Sequence, residues 1–156
     1  MRYLTQNRIT RGGASSENEE GTLPPNPAIG ISKIQMRNKS ILRLEKGYIV
    51  RLEESLEYSV TTFPQYNPFQ PHPFGIVLTP GDPDDQIEVA YGGIVDVEMD
   101  TAQVRIGDYL YNSGTPGLLI SSDSGFIGAL GRALTAKPNG ANGRIKALIG
   151  YLPNLG

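Results

Sequence analysis

The sequence predicts an all-β fold: a small β-barrel or sandwich built of two related β modules, with an extended N-terminal arm. Three observations carry this expectation. Short apolar runs of strand length recur after residue 32, separated by Gly-Asp, Asn-Gly and Ser-Gly pairs. A Gly-x-x-Leu-Thr block occurs twice, at Gly75 and at Gly131. Before residue 33 the chain has few core-type side chains and neither helical nor strand periodicity.

Residues 1–32 read as the arm and 33–156 as the β domain. The arm contains GGASSENEEG and then LPPNP, where Pro24, Pro25 and Pro27 fix φ and remove amide donors. Such a stretch is extended and cannot be a central strand. Its composition is that of a chain disordered by itself. Two states are open to it, order on a partner or fraying in solution. Arg2, Tyr3, Leu4, Arg8, Ile9 and Arg11 interleave cationic with apolar side chains, and they are the residues expected to anchor the arm on another surface.

Strands are expected at 41–44, 48–52, 58–62, 75–79, 87–90, 93–99, 109–111, 118–120, 129–135 and 144–152. In the run from Ile94 to Met99, polar Asp96 and Glu98 alternate with Val95, Val97 and Met99, which gives one wet and one dry face. Asn139-Gly140 and Asn142-Gly143 mark the tip of a hairpin. The segment 63–74, with Pro64, Pro68, Pro71 and Pro73, interrupts the pattern and is expected to be a loop pinned by its aromatic residues. Many short strands at this spacing make a sandwich or barrel.

The repeat extends beyond one block. Gly75-Ile-Val-Leu-Thr79 matches Gly131-Arg-Ala-Leu-Thr135, and Ile87 to Gly92 matches Ile145 to Gly150. Each copy follows a strand with a Gly at its start, at Gly47 and Gly107. The spacings differ by two residues, an insertion that falls in a turn. Two β modules, stacked or intertwined, account for this; chance recurrence in a Gly-rich β chain is the plainer alternative.

Composition limits the chemistry. With 19 Gly and 12 Pro among 156 residues, a helical bundle is excluded. Fourteen basic and 16 acidic residues leave a formal charge of -2, so neither nucleic acid nor an anionic membrane is an expected partner. No apolar run approaches the roughly 20 residues that cross a bilayer, and the start, MRYLTQNRIT, has no apolar signal core. The expectation is a soluble chain made in the cytoplasm. There is no Cys and a single His, His72, which lies between two prolines with no orienting carboxylate or paired nucleophile such as Ser113 or Ser121. Asp82, Asp84 and Asp85 lack the residue order of a calcium loop and read as a solvated acidic turn. Gly125, Gly128 and Gly131 lack the spacing and the Lys of a phosphate cradle. Arg37, Lys39, Arg43, Lys46 and Arg51 are offset by Glu45, Glu53, Glu54 and Glu57, so they read as a mixed-charge face. No catalytic residue, metal site or cofactor is expected.

The block from Gly93 to Leu134 resembles the capsid decoration (cement) proteins of tailed bacteriophages. In that family a "Gly-x-Val-x-Val" strand is followed by a "Gly-Asp-x-Leu" turn, a "Ser-x-x-x-Gly" turn and an "Ile-Gly-x-Ala-Leu" strand. The matching residues are Gly93, Val95 and Val97; Gly107, Asp108 and Leu110; Ser113 and Gly117; and Ile127, Gly128, Ala129 and Leu130, echoed by Gly131, Ala133 and Leu134. KGYIVRLEES resembles the family's opening strand, and the likeness spans about residues 40–152. The Pro-rich loop 63–74 departs from the shortest members. The resemblance implies a homotrimer on the outer surface of the virion head that bridges major capsid protein subunits. It also implies that residues 1–32 reach beyond their own β domain. Related turn patterns occur in phage tail-fibre and baseplate β domains, which is the alternative. A dUTPase-like trimeric enzyme is a remote one: GGIVDVEM faintly matches its "Gly-x-Ile-Asp" segment, but the Arg-Ser-Ser phosphate motif is missing.

Overall fold

The computed structural model describes residues 30–63, 73–125 and 128–150. Among these residues the strands are β1 (Ser32–Asn38), β2 (Ile49–Leu52), β3 (Ser59–Thr61), β4 (Gly75–Val77), β5 (Gln86–Met99), β6 (Tyr109–Asn112), β7 (Leu119–Ser122), β8 (Gly131–Ala133) and β9 (Gly143–Ile149). The fold is all-β, as the turn and strand pattern predicts.

Strand pairing closes two five-stranded mixed barrels on one shared strand. In the first, β1 runs parallel to β3, and the circuit returns through β2, β4 and β5 to β1 by antiparallel pairs. The second repeats this order: β5 runs parallel to β7, then β6, β8 and β9 lead back to β5. The long strand β5 changes barrels at its middle. It pairs with β1 from Gln86 to Gly92 and with β9 from Gly93 to Met99.

Close backbone approach explains why the Gly-x-x-Leu-Thr block occurs twice. A Cβ on Gly75 would stand 2.0 Å from the Ala90 carbonyl oxygen, and one on Gly131 would stand 2.2 Å from that of Leu148. Only glycine admits β4 and β8 so near their neighbours. Three residues on, Leu78 N donates to Glu88 O and Leu134 N to Lys146 O, each at 2.8 Å. The Thr hydroxyls then accept from Glu88 N and Lys146 N, each at 2.9 Å. The two copies are therefore equivalent in space.

Each barrel is filled by its inward-facing residues. Met36, Leu44, Val50, Val60, Val77, Ile87 and Val89 form one buried cluster. The second is centred on Val95, Val97, Met99, Leu110, Leu119, Ile145, Ala147 and Ile149. Along the second half of β5, burial alternates as the sequence predicts, with Val95, Val97 and Met99 inside.

The strand expected at 41–44 does not form. Asn38, fully buried, donates from Nδ2 to Leu42 O at 2.9 Å and to Gly81 O at 3.1 Å, and its Oδ1 accepts from the Ser40 amide and hydroxyl. These local bonds hold the backbone in a loop instead of a ladder. Ile41 is left 92% exposed, and only Leu44 is buried, bridging Gly81. The first strand among the described residues is β1, whose sequence SKIQMRN carries too few apolar residues to announce itself. The runs at 87–90 and 93–99 are parts of one strand. Asn139-Gly140 lies in the connection between paired strands β8 and β9, and Asn142-Gly143 runs into the first residue of β9.

Candidate functional site

The first barrel is apolar on both sides along β2, β4 and the start of β5. Val50, Val77 and Val89 fill its own core, while Ile49, Ile76 and Ala90, neighbours in register, belong to the buried cluster of the second barrel. The corresponding row on the second barrel is Tyr109, Arg132 and Leu148. There Arg132 is exposed, lies 4.5 Å over the centre of the Tyr109 ring, and donates to Gly107 O from Nε at 3.0 Å and from Nη2 at 2.9 Å. The contact between barrels thus uses different faces of the two modules, and the second barrel ends in a polar cap, as terminal repeats do.

Main-chain bonds follow the same asymmetry. In the first barrel Arg37 N donates to Tyr58 O at 2.8 Å. Lys39 N to Val60 O and Asp100 N to Leu119 O, both 2.8 Å, fix Tyr58 and Gly117 as equivalent positions, two residues earlier in each module. In the second barrel the matching groups turn to the first: Glu98 N donates to Gly47 O at 3.0 Å, and Gly117 O accepts from Ile49 N at 2.9 Å. Gly117, at φ +86°, lies so close to Tyr48 that a Cβ would be 2.3 Å from its ring.

Among the described residues nothing covers the turn before β3 in this way. Leu52, Leu56 and Tyr58 are exposed, Tyr58 at 69%, and Tyr58 holds φ +49° without being glycine. Its turn is rigid: Glu53 N donates to Ser59 O at 2.9 Å and Leu56 N to Glu53 O at 3.1 Å. Ser55 donates to the Glu53 carboxylate from its hydroxyl and its amide, and these bonds hold that carboxyl below the usual range. Among the described residues Glu53, Glu54 and Glu57 make no ion pair.

The acidic turn at 82–85 is matched by cations. Asp84 meets Lys39 Nζ at 2.5 Å, and this ammonium lowers its pKa. Arg43 reaches Asp82 at 3.1 Å and Glu45 at 3.0 Å, which raises its pKa. Asp85 accepts from Asp82 N at 2.8 Å. Of the mixed-charge face read from the sequence, Lys39, Arg43 and Glu45 are in ion pairs, and the acidic turn spends its carboxylates on cations and on its own backbone. Across the strands, Lys33 pairs with Glu88, Lys146 with Asp96 and Arg144 with Glu98.

Among the described residues the two serines named as candidate nucleophiles are engaged by backbone groups near them. The Ser113 hydroxyl donates to Thr115 O and accepts from its amide, and the Ser121 hydroxyl donates to Gln103 O at 2.9 Å. A polar cleft of about 200 Å³ lies among Gln103, Arg105, Asp108, Ser121, Ser122 and Asp123. Among the described residues there is no group of three or more His, Cys, Asp or Glu that could hold a metal ion, and no helix long and apolar enough to cross a membrane. His72, Ile127 and the six arm residues Arg2, Tyr3, Leu4, Arg8, Ile9 and Arg11 lie outside the described residues.

Sequence reading missed the exposed turn at Leu52, Leu56 and Tyr58 and the cap at Arg132. A signal existed for the second. In the aligned repeat, Ile76 faces Arg132, an apolar residue against a charged one, which marks which barrel has its outer face covered.

No family model matches the chain, and no curated protein does. Among solved structures, the fold is similar to the head fibre gp8.5 N base of bacteriophage phi29, with a TM-score of 0.53 and 14% identity over 77% of this chain and 94% of that chain. At that identity the likeness establishes the fold.

Proposed function

We propose that this chain is a structural protein of a phage virion that attaches to the head, in the manner of a capsid decoration (cement) protein. The observation that carries this reading is the shared fold, which spans nearly the whole of a protein described as the base of a head fibre. The turn pattern from Gly93 to Leu134 supports it independently. A cement function needs contact area, not turnover, and the locally engaged hydroxyls of Ser113 and Ser121 suit that task.

On this reading the chain is a homotrimer on the outer surface of the head, bridging major capsid protein subunits. Residues 1–32 grip beyond their own barrels through Arg2, Tyr3, Leu4, Arg8, Ile9 and Arg11. Shallow contacts suffice when several protomers bind together, because each docked protomer raises the effective concentration of the rest. Synthesis takes place in the host cytoplasm. The phi29 likeness favours a second reading, in which the two barrels are the base that carries a fibre.

Cryo-electron imaging of particles with and without this chain tests both. Density on the outer head surface that disappears when the chain is deleted, with hundreds of copies per particle by quantitative mass spectrometry, is the result expected of a decoration protein. Fewer copies, each carrying a projection, fit the fibre base. Density confined to the tail, or hydrolysis of nucleotides by the purified chain, overturns the head assignment.

A further inference from the structure

We propose that the exposed turn around Leu52, Leu56 and Tyr58 is the docking site for residues 2–11 of a neighbouring copy of this chain. This rests on the oligomeric reading above and deepens it by naming both sides of a contact.

The molecule contains an occupied version of the same position. Gly117, the counterpart of Tyr58, is pressed against Tyr48 of the other barrel, and its carbonyl oxygen accepts from Ile49 N. In the first barrel nothing among the described residues covers that position. Instead of glycine it carries a large aromatic ring, 69% exposed, on a backbone with positive φ. A bulky residue in the left-handed region is strained, and such strain concentrates where a side chain must be aimed at a partner.

A second barrel from another copy cannot fill the position by repeating the internal contact. That contact uses Glu98 N as donor, and its counterpart in the first barrel, Arg37 N, has a single hydrogen that it already gives to Tyr58 O at 2.8 Å. The occupant has to be something else, and charge selects it. Glu53, Glu54 and Glu57 lie around the apolar turn without ion pairs among the described residues; Arg51 acts on Glu53 from nearby while its Nε donates to Thr62 O at 3.1 Å, so the acidic side chains outnumber the cation beside them. The fitting segment is cationic and partly apolar. Residues 2–11, RYLTQNRITR, bring Arg2, Arg8 and Arg11 with Tyr3, Leu4 and Ile9, and no carboxylate precedes Glu17. Guanidinium groups would face the three glutamates and the Tyr58 ring.

The test uses the full chain with a photo-crosslinking phenylalanine analogue in place of Tyr58, made as an equal mixture of light and nitrogen-15 protein. Illumination and mass spectrometry are expected to give mixed-isotope crosslinks to residues 2–11. The triple change Glu53→Lys, Glu54→Lys and Glu57→Lys is expected to lower their yield about tenfold, the effect of three exposed ion pairs. Adding Arg2→Glu, Arg8→Glu and Arg11→Glu is expected to restore it. Crosslinks confined to one chain, crosslinks to other segments, no crosslinks, or crosslinks only to shell proteins when heads are added each overturn the proposal. The wild-type background gives this answer even if the triple variant fails to fold. Continued binding to heads without crosslinks between copies would remove the docking site and leave the virion reading intact.

Discussion

Tyr58 and Gly117 stand at one and the same place in two copies of a module, and they differ because only Gly117 has a barrel pressed against it. Both have positive φ, so the backbone bend belongs to the module and the side chain to its surroundings. Where two barrels meet there is no room for a Cβ; where the surface is open, an aromatic ring projects.

Gly117→Ala is accordingly expected to destabilise the chain by about 2 to 4 kcal/mol, through positive φ and the Tyr48 ring together. Gly140→Ala, at φ +118° with nothing within 4 Å of the added Cβ, carries the backbone penalty alone and is expected to lose about 1 to 2 kcal/mol. Urea unfolding of the two variants measures the difference. Equal midpoints would show that the Tyr48 contact contributes nothing.

The seam between barrels depends on the row Ile49, Ile76 and Ala90. Ile76→Ala leaves a hole there, with an expected loss of about 2 to 4 kcal/mol. At the equivalent position Arg132→Ala removes an exposed side chain, and the expected loss is below about 1 kcal/mol. If both variants melt together in differential scanning calorimetry, the two outer faces are energetically alike and the assigned asymmetry is wrong.

Asn38 occupies the site taken by Met99 in the second barrel, as the register pairs Asn38 with Val60 and Met99 with Leu119 show. Asn38→Met puts a larger, apolar side chain in a fully buried place, removes the Nδ2 donor that Gly81 O shares with Leu44 N and Leu42 O shares with the Ser40 hydroxyl, and leaves the Ser40 amide without its acceptor. The expected loss is about 2 to 4 kcal/mol, read from the chemical denaturation midpoint. A stability near wild type would mean that the 39–44 loop is held by other bonds.

The ion pair of Asp84 with Lys39 makes stability depend on acid in a defined direction. The carboxyl pKa is lowered in the folded chain, so its stabilisation is present above the unfolded pKa and is lost as pH falls through the folded one. Both groups are solvent-facing and screened, so the effect is small. Wild type is expected to melt above Asp84→Asn at about pH 7. The gap is expected to vanish near pH 2 and to shrink in high salt. A gap unchanged at low pH would assign the loss to the altered turn and not to charge.

Much of this architecture was legible before any coordinates. Gly75 and Gly131, with their Leu and Thr partners, mark the repeat because each residue serves the same backbone contact in both modules. The alternation from Ile94 to Met99 shows its dry face directly. By contrast β1 was illegible: it is a mostly polar strand that owes its place to pairing with β5 and β3 rather than to its own pattern. The 41–44 run misled in the opposite way, since its apolar residues satisfy strand statistics while Asn38 and Ser40 bind the backbone away from any ladder.

By itself the sequence determined the all-β class, the doubled module and the absence of a thiol, because composition, turn residues and repeated glycines act locally. Only the tertiary structure decided that the modules close as two barrels on one strand, and that they meet through unlike faces. It also decided that, among the described residues, the turn carrying Tyr58 is exposed while its twin at Gly117 is buried. Those outcomes depend on which surfaces meet after the chain has folded, and contacts between residues distant in sequence leave little trace in the order of the residues.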